Sequence, residues 1–192
     1  MDLQSHVLVG THCVLRAMRP EYLEALTGYL NDPAVNRYLR IRPPVTHASQ
    51  VEYFKRTTRS DRDAVFAVLA READARCFVG VVGLHEIDPV DKSARGGAII
   101  GNPAFQGRGI GTEARFLQLR FAFETLGLRM VFGSAIAFNE RSNKLLARCG
   151  YVRIGTEPAS RFSEGAYHDN NLYVVDREGW LRALAAYERS RS

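Results

Sequence analysis

Apolar and polar residues recur with two periods along this chain, and the switches between them mark its elements. Val7, Val9, His12 and Val14 recur loosely every second position, which predicts a first strand over Val7 to Leu15. Pro20 then opens a helix with Tyr22, Leu23, Leu26, Tyr29 and Leu30 at helical spacing, and Asn31-Asp32-Pro33 stops it. Pro43-Pro44 is a break, and Thr46 is placed to cap a further helix carrying Val51 and Phe54. Val65 to Leu69 and Cys77 to Ile87 read as strands, with turns at Asp61-Arg62-Asp63 and Asp88-Pro89-Val90-Asp91. Ala98 to Gly101 is the next strand, and a helical pattern from Thr112 ends near Leu126, with Gly127 as its C-cap. Met130 to Ala137 is a strand, Asn139 caps a helix over Glu140 to Arg148, and Gly150 closes it. Strands starting at Tyr151 to Ile154 and at Asn171 to Val175 follow, then a terminal helix (Trp180, Leu181, Leu184, Tyr187) and polar tail over 178–192.

Two β-helix-β units after residue 95 place the chain in the α/β (α+β) class on a mixed sheet. No repeat, low-complexity stretch or linker divides it, so residues 1–192 are read as one domain. The net charge of +5 favours an anionic ligand. The basic residues are scattered apart from an Arg-rich C-terminus, and no nucleic-acid-binding signature accompanies them, so nucleic acid is not the favoured partner. Cys13, Cys77 and Cys149 are odd in number and far apart, without a C-x-x-C pair; core or surface thiols fit better than a disulfide or a metal site, and no metal is expected. The start M-D-L-Q-S-H lacks a signal pattern and no apolar run has membrane-span length, so the cytoplasm is the default and no membrane partner is expected.

The segment from Ala98 to Arg115 changes the picture most. A short apolar run leads into Gln106-Gly107-Arg108-Gly109-Ile110-Gly111, and a helix follows at once. The first turn of a helix has N–H groups without partners at the positive end of its dipole, so this turn is a ready diphosphate cradle. The spacing fits neither a P-loop, which requires Gly-Lys-Ser/Thr, nor the dinucleotide G-x-G-x-x-G. The form Gln-x-x-Gly-x-Gly resembles the acyl-CoA pyrophosphate loop of the GNAT acetyltransferases, and N-P-A-F-Q-G-R-G-I-G-T-E-A is similar to the RimJ/RimL branch. The resemblance covers most of the chain and is sharpest from Gly101 to Tyr151. It implies the GNAT fold, a mixed sheet of about six to seven strands with helices on both faces, and acetyl-CoA or another acyl-CoA as co-substrate.

The same resemblance implies roles for particular residues. Backbone amides of Gly107, Arg108, Gly109, Ile110, Gly111 and Thr112, preceded by Gln106, would face the pyrophosphate, and the strand ending at Ile100 would pair with the pantetheine. The string N-E-R-S-N-K-L-L-A-R-C-G-Y resembles the second cofactor element, which makes Asn139 and Asn143 candidates for the pantetheine arm. Lys144 and Arg148 are candidates for the CoA phosphates or an exposed face. Ser142 is the candidate acid for the CoA sulfur, because Leu146 occupies the position where many relatives carry tyrosine. Candidates for a base are Glu86, His85, Glu164 and His168, and Glu86 is taken together with Ser142 as the catalytic pair. Two positions that are often Glu in this branch are Arg161 and Gly96 here. G-A-Y-H-D (Gly165 to Asp169) matches the branch, placing Tyr167 and His168 near the acceptor entrance with Arg161, and Tyr38 with the loop from Arg40 to Pro44 on the same side.

The reading is an N-acyltransferase that moves an acetyl or other short acyl group to a primary amine by direct attack in a ternary complex. Cys149, in the last turn of its helix, weighs against a covalent intermediate. The alternative is a catalytically weak CoA-sensing protein of the same fold. The acceptor, small molecule or protein N-terminus, is not readable from the residues, and homodimerisation stays open.

Overall fold

The computed structural model describes residues 8–72 and 76–190; Val7 of the expected first strand and residues 191–192 of the tail lie outside them. Eight strands form one sheet among the described residues: β1 (Leu8–Val9), β2 (Cys13–Ala17), β3 (Ala64–Arg71), β4 (Arg76–Asp88), β5 (Ser93–Ile100), β6 (Met130–Ile136), β7 (Val152–Ser163) and β8 (Ala166–Asp176). The order is β1-β2-β3-β4-β5-β6-β8-β7. The helices are α1 (Leu23–Asn31), α2 (Pro33–Asn36), α3 (His47–Arg59), α4 (Ile110–Arg120), α5 (Glu140–Arg148) and α6 (Arg177–Arg189). This is the mixed sheet with helices that the resemblance implies, with one strand more than the sequence suggested.

The extra strand comes from a break in the first one. Glu113 of α4 is buried, and its carboxylate accepts the backbone N–H groups of Thr11 (2.8 Å), His12 (2.7 Å) and Cys13 (2.8 Å). Those bonds turn the chain between β1 and β2 into a hairpin that the loose alternation of apolar residues could not reveal. The strand expected from Ala98 begins at Ser93 instead. Gly96 and Gly97 weaken its propensity, but the ladder to β4 carries them, Gly97 opposite Gly83 and Gly96 opposite Leu84. The helix caps follow the sequence. Thr46 forms a capping box with Ser49, and the Asn139 side chain accepts the Ser142 N–H.

Strands β1 to β5 are an antiparallel meander, and α4 carries the chain across to β6, which runs parallel to β5. The next crossover, through α5, skips a place: β7 lies at the edge, and β8 inserts between β6 and β7, antiparallel to both. The β5–β6 ladder is short, joining only Ser93–Arg95 to Met130–Phe132. Beyond it the two strands part, although β5 continues to Ile100 and β6 to Ile136.

The sheet divides the core in two. On one face α4, α5 and α6 bury Phe116, Leu119, Leu146 and Trp180 against Ala94, Val131, Tyr173 and Val175; near β2 to β4, Ile110, Ala114 and Leu117 pack on Leu15, Val68 and Val82. On the other face α1 sets Leu23, Leu26 and Leu30 against Ala67, Val81 and Ile99, with Val51 and Phe54 of α3 alongside. Each fully buried large apolar side chain contributes about 1.5–3 kcal/mol relative to exposure. Among the described residues no helix is long and apolar enough to cross a membrane.

Candidate active site

The parting of β5 from β6 opens a seam in the middle of the sheet, and most of the candidate residues stand around it. At its mouth lies the glycine loop. Gly107 and Gly109 have φ of +78° and +80°, a left-handed backbone that favours glycine. This twist starts α4 abruptly: its first intrahelical bond runs from the Glu113 N–H to Gly109 O (3.0 Å), so Ile110, Gly111 and Thr112 have amides without an intrahelical acceptor. Arg108 is engaged at the rim, with Nη1 3.3 Å from Glu72 Oε1 and its guanidinium over the Phe105 ring. Thr112 is buried, and its carbonyl accepts from Cys149 Sγ.

Two glutamines hold the open edge of β5. Gln106 Nε2 donates to Ile100 O (3.0 Å), and its Oε1 accepts from Arg141 Nη1 of α5 (2.5 Å). Gln106 thus ties β5 to α5 across the seam. Gln118, wholly buried on α4, donates Nε2 to Gly83 O (2.5 Å) and Gly97 O (3.1 Å). Its Oε1 accepts from Arg115 Nη1 (2.7 Å). Arg115 and Tyr151 fill the hollow beneath Gly96, where a Cβ would meet Arg115 Nη1 at 2.8 Å and the Tyr151 hydroxyl at 3.1 Å. Burial pushes the Tyr151 hydroxyl up to about 12, with the Arg115 charge pulling the other way. The roles of Gln118 and Arg115 escaped the sequence reading, because polar residues inside a helical pattern carry no mark of what they touch.

On the far side of the seam, α5 offers its first turn. Asn139 Oδ1 is spent on the Ser142 N–H (3.1 Å), and the half-buried Ser142 hydroxyl has no partner among the described residues. Asn143 is a structural hub. Its Nδ2 donates to Asn139 O (2.7 Å) and Ile136 O (3.1 Å), and its Oδ1 accepts from Tyr173 (2.6 Å) and Asn171 (2.8 Å). That leaves its carboxamide engaged within the protein. Arg148 is exposed in the last turn of α5, and Lys144 pairs with Glu140. Cys149 is buried, and burial pushes its thiol up to about 12.

The face carrying α1 and α3 holds the titratable groups. Glu86, the expected base, is largely exposed and closes onto Arg95 Nε (2.8 Å), at the hairpin end of β4. Its neighbour His85 points elsewhere. His85 Nδ1 lies 2.7 Å from Asp63 Oδ1, and Nε2 lies 2.8 Å from where a Cβ on Gly83 would be. The His85 ring lies over Gly83, and Gly97, its ladder partner on the freed part of β5, has room above it on the same side. Burial would raise the Asp63 carboxyl, but hydrogen bonds from His85 and Ser60 and the charges of His85 and Arg56 overcome it, holding Asp63 below the ordinary carboxylate range. An ionised Asp63 can only accept, so in the neutral ring Nδ1 carries the proton and Nε2 presents a lone pair. Asp63 was visible in sequence only as a turn residue.

The loop after α2 meets the β7–β8 hairpin over the end of β6. Ser163 donates to Arg37 O (2.7 Å), and Arg37 pairs with Glu164 (2.6 Å). The Tyr38, Phe138 and His168 rings follow one another, the first pair tilted with centroids 5.5 Å apart and the second edge to face at 4.6 Å. Tyr167 is exposed at the hairpin against Phe162. Arg161 is 9% exposed, with Nη1 reaching Asn170 Oδ1 at 3.4 Å and Nη2 reaching Tyr38 O at 3.5 Å. Among the described residues no cluster of His, Cys, Asp or Glu is arranged to hold a metal ion.

Comparisons with known proteins agree with this geometry. The Bacillus subtilis (strain 168) protein named "Putative ribosomal N-acetyltransferase YdaF" is 32% identical over 178 residues, 90% of this chain and 95% of that one. The structure of spermidine N-acetyltransferase from Vibrio cholerae, in complex with CoA and spermine, superposes with a TM-score of 0.82 at 22% identity, over 90% of this chain and 99% of that one. A GCN5-related N-acetyltransferase from Brucella melitensis gives 0.77 at 24% identity, over 97% and 85% of the two chains. Residues 12–152 match the family described as the Acetyltransferase (GNAT) domain, and with the open seam, the glycine loop and the capped α5 around it, the chain belongs to the GNAT acetyltransferases as one of their N-acetyltransferases.

Proposed function

We propose that this protein transfers an acetyl or similarly short acyl group from acyl-CoA to a primary amine held in the same complex. One observation carries the reading: a helix N-terminus with unpaired amides opens onto a seam between two strands, and the seam leads to the first turn of α5. A diphosphate fits the first feature, and an extended amide-bearing arm such as pantetheine fits an unpaired strand edge. The loop amides from Gly107 to Thr112 would hold the diphosphate, with Arg108 released from Glu72 or shared with it. Asn139 and the freed edge of β5 near Ile100 would orient the arm, while Gln106 and Asn143 keep the walls of the seam in place.

The chemistry then needs a neutral amine and a proton for the departing thiolate. The amine nitrogen attacks the thioester carbonyl carbon, a C–N bond forms, and the C–S bond breaks. We assign the base to His85, oriented by Asp63, in place of Glu86, whose carboxylate is taken by Arg95. His85 Nε2 accepts the amine proton directly or through one water. Ser142 is suited to return a proton to sulfur, and the N-terminus of α5 favours the developing thiolate. Cys149 takes no part, since its buried thiol stays protonated.

The donor assignment is tested by melting the protein with and without CoA, and by following thiol release from acetyl-CoA with a panel of amines read by mass. No thermal shift at saturating CoA rejects it. The base is tested by pH–rate profiles. His85 faces Asp63, which in turn meets Tyr53 and Arg56 on α3, and Arg95 is its ladder partner on β5. The amine's own ionisation is common to both enzymes, so an extra acid limb present in wild type and absent in His85→Gln identifies the base. The rate should fall about 100-fold or more in that variant. Identical profiles return the role to another group.

A further inference from the structure

Among the described residues Arg161 is a buried cation with no carboxylate bonded to it directly. Its two bonds are long and run to neutral oxygens, Asn170 Oδ1 and Tyr38 O. A guanidinium removed from water is costly to the fold unless an anion meets it. The nearest carboxylate is already occupied: Glu157 Oε2 accepts from Asn170 Nδ2 at 2.8 Å and faces Arg40 Nη2 at 3.8 Å, and Glu157 is half exposed. Burial and the neighbouring charges of Arg40 and Arg42 all pull the Arg161 pKa down, against Glu157 alone. The site therefore holds an excess of positive charge in an enclosed corner.

Its place in the fold says which reactant meets it. Asn170 is opposite Ile136 on the β6–β8 ladder, and Arg161 lies one strand further out, so it stands across β6 from the seam and from the CoA loop. The roof is the loop around Tyr38, and the neighbouring wall is the row of rings Tyr38, Phe138 and His168. A guanidinium fork suits a carboxylate in two parallel bonds, which a lysine or a neutral donor does not match. A polyamine would bring further cations to the same corner.

We propose that Arg161, backed by Arg40 and Arg42, is an acceptor-recognition subsite for a carboxylate borne by the amine substrate. The inference rests on the acyl-transfer reading above. It selects, among amines, peptides or amino-acid-like compounds with an acidic group near the amine, and it disfavours polyamines.

The test compares isosteric acceptors that differ only in charge, Ala-Asp-amide and Ala-Asn-amide, with spermidine as the cationic extreme, each with acetyl-CoA and with succinyl-CoA. Wild type should prefer the acid over its amide by about 10- to 100-fold in kcat/KM, the effect of one hydrogen-bonded charge. In Arg161→Gln the preference should collapse towards one, while the thermal shift produced by CoA stays. Arg161→Lys should keep part of the preference, which separates recognition from a folding defect. Calorimetry of the two peptides on CoA-loaded wild type reads the same selectivity without turnover or a variant. Equal use and equal binding of acid and amide, a preference for spermidine, or a preference that survives Arg161→Gln overturns the proposal. An advantage that follows succinyl-CoA and is lost in Arg161→Gln assigns the carboxylate to the acyl chain and overturns the acceptor assignment. Absence of both CoA binding and acyl transfer would instead overturn the transferase reading, and this one with it.

Discussion

Glu113 is the residue whose loss should be felt furthest from its own position. Its carboxylate satisfies three successive backbone amides of the β1–β2 turn about a hundred positions earlier in the chain. Glu113→Ala leaves those amides short of an acceptor, so chemical denaturation should show a loss of about 2–4 kcal/mol. Asp63 makes a pH-dependent contribution. Its carboxyl titrates below the ordinary 3.8 in the folded chain. The stability it adds is therefore complete above that value and is lost as pH falls through the folded one. Asp63→Asn should lower Tm at pH 7, and the gap from wild type should narrow on acidification past the carboxylate range. The three thiols divide by surroundings: Cys13 and Cys149 are buried with their thiols pushed up, and Cys77 is only partly buried. Iodoacetamide at pH 8 should modify Cys77 first, as peptide mapping would show; early labelling of Cys149 would contradict the packing around it.

At the scale of elements, α4 is the part to which the rest is fitted. Nine of its eleven residues are buried, including Gln118 and Arg115. Gln118→Leu keeps the volume but leaves Gly83 O and Gly97 O without this donor. It should cost about 1–3 kcal/mol and raise the KM for acetyl-CoA, measured by urea melts and initial rates. Asn139→Ala removes the cap of α5, at a cost of about 1 kcal/mol. The elements also mark what sequence can and cannot convey. The loop-helix unit and the capped α5 were legible because glycine spacing and cap residues are local chemistry. The β1–β2 break and the start of β5 were not, because Glu113 and the β4 ladder impose them from a distance. The pairing of His85 with Asp63, and the engagement of Glu86 by Arg95, depend on which strands become neighbours, and no single segment records that.

For the whole molecule, ligand and stability are linked. At a CoA concentration 100 times its Kd the folded state should gain about 2.7 kcal/mol. For a chain of this size that corresponds to a rise in Tm of about 5–10 °C. Fold class and family could be anticipated from one glycine-rich stretch and its flanks. The acceptor could not, because its corner is assembled from the loop after α2 and the β7–β8 hairpin, more than a hundred residues apart.

The short β5–β6 ladder has a mechanical consequence. Among the described residues three ladder pairs, with Lys92 O accepting from Arg129 and Met130 just before them, stitch the two leaves of the sheet, and beyond them the strands part. On the proposed reading, a bound arm lying there would replace the missing rungs, so donor binding would close the sheet as well as fill a groove. Amide hydrogen exchange over 96–100 and 133–136 should therefore slow when CoA is added, and the two leaves should breathe against each other when it is washed away.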